Sequence, residues 1–312
     1  MNQQPIIPPV PTHLLEAELT QERFLRVTNK GSNLIFVVDA FNAPNVMKEV
    51  GRLREIAFRH GGGGTGLECD IDEFDTMQPP CKQLIVWDPE EKMILGGYRF
   101  ILGKDIVIRP DGSPRIATAH LFHFSQRFIR DYLPYTIELG RSFVRLEFQS
   151  SRAGNRGKAI FVLDNLWDGL GALTVLHPEV KYLFGKMTMY PNYNADCRNM
   201  ILYFLMKYFP DSDALVTPLT PLATGMDLNE MAKNFTADNF KGDYRILNTL
   251  IREYGINIPP LVNAYMSLSP TMKVFGTAIN HEFGEVEETG IFLAISDIFE
   301  DKKQRHIGTF VH

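Results

Sequence analysis

Between residues 82 and 209 the chain alternates two kinds of apolar run, and this alternation constrains its fold more than any other feature. "KQLIVWD" and "MILGGYRFIL" are short, rich in β-branched and aromatic residues, and joined by the turn "PEEK", so they predict two strands. "PYTIELGRSFV" (134–144) and "VKYLFGKMTM" predict two more. Between and after them lie "AIFVLDNLWDGLGALTVL" (159–176) and "NADCRNMILYFLMKYF" (194–209), too long for strands and apolar nearly all round. Strands alternating with buried helices predict a mixed α/β domain with a central sheet. Upstream, Val46, Val50, Leu53, Ile56 and Ala57 recur at helical spacing over residues 45–61. That helix should stop at the glycine run 61–64, which reads as a mobile loop. Residues 1–12 are proline-rich and read as a loose arm, and 243–255 as a helix closed by Gly255. The tail adds a short helix and two strands.

Several function classes drop out early. A net charge of −5 over 312 residues gives no broad basic field for nucleic acid. Three scattered cysteines show neither metal-ligand spacing nor a disulfide framework, which suits a reducing cytoplasm. The opening "MNQQPIIPPVPTH" lacks the pattern of a signal peptide, and no apolar run approaches a membrane span. Peripheral contact with a membrane stays open. No metal is implied.

Chemistry concentrates in "PYTIELGRSFV". Glu138 and Arg141 sit inside a strand pattern with Gly140 between them. Regular alternation would put Ile137, Leu139 and Arg141 on one face and Glu138, Gly140 and Ser142 on the other. A bulge at Gly140 would bring Glu138 and Arg141 round to one face, towards one pocket, and could free a backbone N–H for a ligand. The alternative is a structural ion pair at a strand edge. Ser142 has no paired His–Asp motif, which argues against a serine hydrolase. Eight residues further on, "SSRAGNRGK" (150–158) places Arg152, Arg156 and Lys158 around Gly154 and Gly157, ahead of a helix expected to start near Ala159. Glycine amides, guanidinium groups and a helix N-terminus suit a phosphate, although a solvated basic turn is the plainer reading.

The order strand, glycine, basic loop, helix resembles the acyl-donor site of the GNAT acyltransferase superfamily. Gly157 and Ala159 match the end of its "xxGxA" loop, whereas Gly154 stands where Gln or Arg is expected. The chain is more similar still to the branch shared by acyl-homoserine-lactone synthases and the acyl-carrier-protein-dependent N-acyltransferases of amino-acid lipids, a branch that often carries a hemolysin label. The matching stretches, in order, are "LREIAF" (Arg54, Phe58), "DIDEFD" (Asp72, Asp75), "LGGYRF" (Arg99), "IELGRSFV" (Glu138, Arg141), "LWDGLGAL" and "PPLVNAYMSLSP".

The resemblance implies a GNAT-like fold: a central mixed sheet flanked by helices, with an inserted helical segment and a C-terminal extension. It divides the chain into an arm and lead-in (1–39), a core (40–208), a segment like one inserted in Bacteroidetes-type members (209–255) and a C-terminal part packing on the core (256–312). It implies Glu138, Arg141 and Arg99 as catalytic residues, and Gly140, Arg152, Arg156, Gly157 and Lys158 as donor-binding. It places Arg54, Phe58, Asp72 and Asp75 at the donor groove, where the charged ones could equally be structural. The implied reaction moves a (3-hydroxy)fatty acyl group from acyl carrier protein, or from coenzyme A, to the amine of a small amino acid, glycine or ornithine. No cofactor is bound permanently. An O-acyltransferase acting next in the pathway is an implied partner, and the implied place is the cytoplasm or the inner membrane face. The alternatives are an acyl-homoserine-lactone synthase and a non-enzymatic binding protein or cytolysin.

Overall fold

The computed structural model describes residues 3–149 and 156–310, with the side chains of 156–160 left aside. The strands are β1 (Phe24–Val27), β2 (Leu34–Val38), β3 (Lys82–Asp88), β4 (Met93–Leu102), β5 (Phe122–Phe124), β6 (Thr136–Val144), β7 (Tyr182–Met189), β8 (Val216–Pro218), β9 (Lys273–Asn280) and β10 (Val286–Ala294). The helices are α1 (Thr12–Glu18), α2 (Pro44–Gly61), α3 (Glu73–Thr76), α4 (Gln126–Asp131), α5 (Arg156–Leu176), α6 (Ala195–Tyr208), α7 (Leu228–Asn234), α8 (Phe240–Glu253), α9 (Pro260–Met266) and α10 (Glu300–His306). Eight strands form one sheet in the order β1-β2-β3-β4-β6-β7-β10-β9. Its ladders are antiparallel except β6–β7, which is parallel. β5 and β8 make a separate pair.

Helices cover both faces of the sheet, as a mixed α/β layer requires. On one face α2 packs Val46, Val50, Leu53 and Ala57 against Ile85, Trp87 and Phe143. On the other, α5 and α6 bury Leu166, Leu170, Ile201 and Leu205 against Leu84, Val86 and Leu139. α2 starts with Pro44 in its first turn and ends at Gly62, whose φ of +96° is the left-handed conformation that favours glycine. α5 begins at Arg156, three residues before the expected start, because the apolar pattern that defines a helix in sequence is absent from its first turn.

The lead-in carries sheet. β2 pairs with β3 along its whole length, so the layer begins before residue 40. The proline-rich arm is held down as well: Gln4 N donates to the Gly66 carbonyl at 2.9 Å, Ile7 N to the Glu68 carbonyl at 3.1 Å and Val10 N to Glu49 Oε2 at 3.1 Å. The glycine run is packed closely where a mobile loop was expected. A Cβ at Gly61 would stand 2.7 Å from Tyr190 Cζ, and one at Gly63 3.0 Å from Val286 Cγ1, so the run lets the backbone lie directly on the ends of β7 and β10. Within 209–255, Phe240 of α8 packs on Phe204 of α6 at 5.3 Å between centroids. β9 and β10 extend the sheet beyond β7.

Candidate active site

β6 is bulged, and the bulge falls one residue from the expected place. Arg99 pairs with Gly140 and Gly97 with Phe143, so Tyr98 alone on β4 opposes Arg141 and Ser142 on β6. The left-handed residue is Arg141, at φ +48°, and Gly140 lies outside that region. A non-glycine residue in this conformation costs roughly 1–2 kcal/mol, so other contacts must hold it. Arg141 Nε stands 3.0 Å from Asp70 Oδ2, its Nη2 3.4 Å from Asp72 Oδ2, and its guanidinium 4.2 Å from the centre of the Phe283 ring. Arg141 therefore turns to the α2 face, the face to which Glu138 belongs, and Ser142 moves to the other.

The partners of Arg141 belong to a closed ring of six charges. Arg54 Nε bonds Asp70 Oδ2 at 2.9 Å and its Nη2 bonds Asp75 Oδ2 at 3.1 Å. Arg99 Nη1 lies 3.4 Å from Asp75 Oδ1 and 2.6 Å from Asp72 Oδ1. Arg141 then links Asp72 back to Asp70. Signs alternate round the ring and cancel, which is how Arg54, Arg99, Asp70 and Asp75 can all be buried without an unpaired charge. Burial alone would raise the Asp70 carboxyl, but Arg141 and then Arg54 outweigh it and hold it below its ordinary range. Asp75 is likewise held well below by Arg54 and Arg99 against the effect of burial. Locally, Asp72 caps α3 by accepting from the Phe74 and Asp75 amides, and Asp75 accepts in return from the Asp72 amide. Gly51 of α2 lets the acidic segment cross, since a Cβ there would meet Cys69 Sγ at 2.6 Å.

A cavity of about 410 Å³ opens where the sheet splits. β6 pairs with β7 only at Thr136, Ile137 and Glu138. Past Glu138 the strands part, and the gap is lined by Leu139 to Ser142 on one side and Lys186, Thr188, Met189 and Tyr190 on the other. It passes between the layers. Phe58 and Phe283, in edge contact at 5.1 Å, belong to the α2 side, and Tyr98 and Tyr265, whose hydroxyls lie 3.3 Å apart, to the α5 side. Gly140 faces it with nothing within 4 Å of where a Cβ would be.

The predicted residues therefore fall into separate groups. Phe58, Gly140 and Arg141 line the cavity. Arg54, Asp72, Asp75 and Arg99 form the ring behind it. Glu138 was expected to face the same pocket as Arg141 but is not on the lining; it is 2% exposed and still paired to Phe184, in the closed part of the sheet just ahead of the split. Burial raises the proton affinity of its carboxyl, with Arg99 and Lys186 opposing. Arg152 lies outside the described residues. Arg156, Gly157 and Lys158 form the first turn of α5, and their side chains are likewise outside the description.

Sequence reasoning missed Asp70, which completes the ring by joining Arg54 to Arg141. It also missed Lys186, Tyr190 and Glu288. The available signal was a charge inside an apolar strand: Lys186 in "LFGKMTM", and Glu288 beside Glu287 in "VEETGIFLA", with side chains 9% and 3% exposed. Tyr190 is pushed up to about 12 by burial and by the Glu288 charge, so it carries its proton. Among the described residues no group of three or more His, Cys, Asp and Glu is placed to hold a metal, and no helix is long and apolar enough to cross a membrane.

Residues 53–156 match the family described as acetyltransferase (GNAT) domain. A curated glycine N(alpha)-acyltransferase of Bacteroides thetaiotaomicron is 63% identical over 98% of this chain and 90% of its own length. One of Phocaeicola vulgatus is 60% identical over 98% of this chain and 93% of its own. Among solved structures, the acyl-homoserine lactone synthase LasI aligns over 89% of this chain and 97% of that one, at 11% identity and a TM-score of 0.38.

Proposed function

Since this chain belongs to the family of the glycine N(alpha)-acyltransferases and is an N-acyltransferase of GNAT fold, we propose that it moves a 3-hydroxyfatty acyl group from the phosphopantetheine thioester of acyl carrier protein to the amine of glycine. The observation that carries this reading is the cavity between β6 and β7. It has charged groups on both walls and apolar and aromatic surface at its ends, which suits a small zwitterion meeting an acyl thioester. The identities of the relatives favour glycine over ornithine.

In this mechanism the amine attacks the thioester carbonyl directly. The ammonium first gives one proton to Glu138 through a water, because a protonated amine is no nucleophile and Glu138 stands behind the lining. The C–N bond forms, the C–S bond breaks, and the second nitrogen proton leaves on the thiolate as thiol. Past Glu138 the β7-facing edge of β6 is outside the ladder, and its backbone N–H groups are the donors assigned to the oxyanion. Arg152, Arg156 and Lys158, at and just before the start of α5, are assigned to the pantetheine phosphate and the acidic face of the carrier. Gly157 allows that approach. The N-(3-hydroxyacyl)glycine keeps a hydroxyl for an O-acylating partner. The reaction is placed in the cytoplasm, with contact at the inner membrane face through its lipid product.

The test is to incubate purified protein with 3-hydroxyacyl carrier protein and glycine and identify the product by mass spectrometry. N-(3-hydroxyacyl)glycine is expected. Acylornithine in its place would move the acceptor, and a lactone with methylthioadenosine from S-adenosylmethionine would make it a homoserine-lactone synthase. Membrane lysis without any acyl donor would revive the cytolysin reading.

A further inference from the structure

We propose that Lys186 of β7 and Glu288 of β10 form the clamp for the acceptor amino acid, Lys186 taking its carboxylate and Glu288 its ammonium. The proposal rests on the reading of the chain as a glycine acyltransferase and adds the site that reading lacks.

Four observations converge on the pair. Lys186 and Glu288 are in ion-pair contact, with side chains 9% and 3% exposed, and both line the cavity. They lie diagonally across adjacent strands, since Lys186 is opposite Gly290 and Glu288 opposite Thr188, which puts both on one face. Glu288 Oε2 is buried, and its partner among the described residues is Lys186. A carboxylate has acceptor sites for more than one donor, so one held by a single cation on a cavity wall can take a second from outside the chain. The other cation of the lining, Arg141, is already engaged by Asp70, Asp72 and the Phe283 ring.

A zwitterion solves the electrostatic problem that this pair poses. Separating two buried charges is costly unless each finds a new partner of opposite sign. An amino acid brings both signs at the spacing of one carbon, so each wall charge exchanges its partner and none is stranded. An amine without a carboxylate would leave Lys186 unsatisfied. The surroundings also limit size. Tyr190 stands near enough to Glu288 to feel its charge, and its ring is backed by Gly61 and Gly63, whose absent Cβ positions lie 2.7 and 3.1 Å from it. Wedged in this way the ring cannot swing aside for a bulky side chain on the acceptor.

The experiment compares glycine with glycinamide, which keeps the ammonium and lacks the carboxylate, as acceptors for the wild-type enzyme and two single variants. Lys186→Met should lose about 10–100-fold in kcat/KM for glycine, the worth of a hydrogen bond to a charged group, and little for glycinamide, so that the preference collapses. Glu288→Gln should lose both acceptors alike. The donor KM should not move in either variant, whereas a merely structural role would disturb donor and acceptors together. Each single variant leaves a buried charge alone, so the double variant Lys186→Met/Glu288→Gln, which removes both, covers a failure of either to fold; it should retain the donor KM and raise the glycine KM at least as far as Lys186→Met does. An intact glycine preference in Lys186→Met, or a glycine KM within about twofold of wild type in the double variant, would overturn the clamp and leave the function standing. If the wild type made no N-acylglycine at all, the function itself would fail and the clamp with it.

Discussion

Glu138 and Gly140 stand two residues apart on one strand face, one buried behind the cavity and the other on its lining. Glu138 is buried, with its proton affinity raised chiefly by desolvation. If it is the base, as proposed, Glu138→Gln should lose about 10²–10⁴-fold in turnover. The variant should keep or gain stability at neutral pH. A carboxyl whose folded value is raised favours folding below its unfolded value, about 4.3, and loses that contribution as pH rises through the folded value; the amide has no such dependence. Turnover, a melting curve and the pH profile together check this, and wild-type turnover in a stable variant would shift the base to Glu288, which is on the lining. Gly140 needs neither left-handed backbone nor close approach. Gly140→Ala should therefore stabilise the fold by about 0.4–1 kcal/mol in a denaturant titration, while its methyl group, projecting into the cavity, lowers kcat/KM.

At the scale of elements, the ring ties α2, the acidic segment before α3, β4 and β6 into one unit. Asp70→Asn should cost about 3–5 kcal/mol, because it leaves the buried ring one negative charge short, with Arg54 paired to Asp75 alone and Arg141 to Asp72 alone. Asp70 and Asp75 are both held below the ordinary carboxyl range. Their contribution is complete above the unfolded value of about 3.9 and is lost as pH falls through the lower folded values. Acid unfolding followed by circular dichroism should therefore steepen below about pH 4, and less so in Asp70→Asn. This scale also shows what the sequence could reveal. β3 and β4 match their predicted segments residue for residue, since strand and turn patterns are local. The presence of a bulge was legible, because an acid and a base in one short strand needed a reason. Its left-handed residue was not: glycine is the usual occupant, and Arg141 is held there by ion pairs from a segment about 70 residues away and by the still more distant Phe283 ring. Lys186 and Glu288 meet across strands about 100 residues apart in the chain, a pairing that no local pattern carries.

Over the whole molecule, the reading puts donor and acceptor at opposite ends of the split, with the donor's phosphate at the start of α5 and the acceptor between β7 and β10. Charge reversal at Arg152, Arg156 and Lys158 should raise the KM for acyl carrier protein and leave the glycine KM nearly flat, since each substrate loses only its own uniform binding. Added salt should weaken donor use in the wild type and much less in the variant, with screening over about 8–10 Å near physiological ionic strength. Steady-state kinetics at two salt concentrations decides it, and loss of acceptor use with donor use intact would mean the two ends are exchanged.

The short β6–β7 ladder has one more consequence, for amide exchange. Three residue pairs join the five strands on one side to the three on the other. Past Glu138 the backbone N–H groups on that edge of β6 lack a strand to shield them, so their deuterium uptake should outrun that of β3 and β4. An acyl donor lying in the gap supplies the missing cover. Exchange mass spectrometry should then show slower uptake at residues 139–142 when donor is added, and uptake unchanged by saturating donor would place the thioester outside the split.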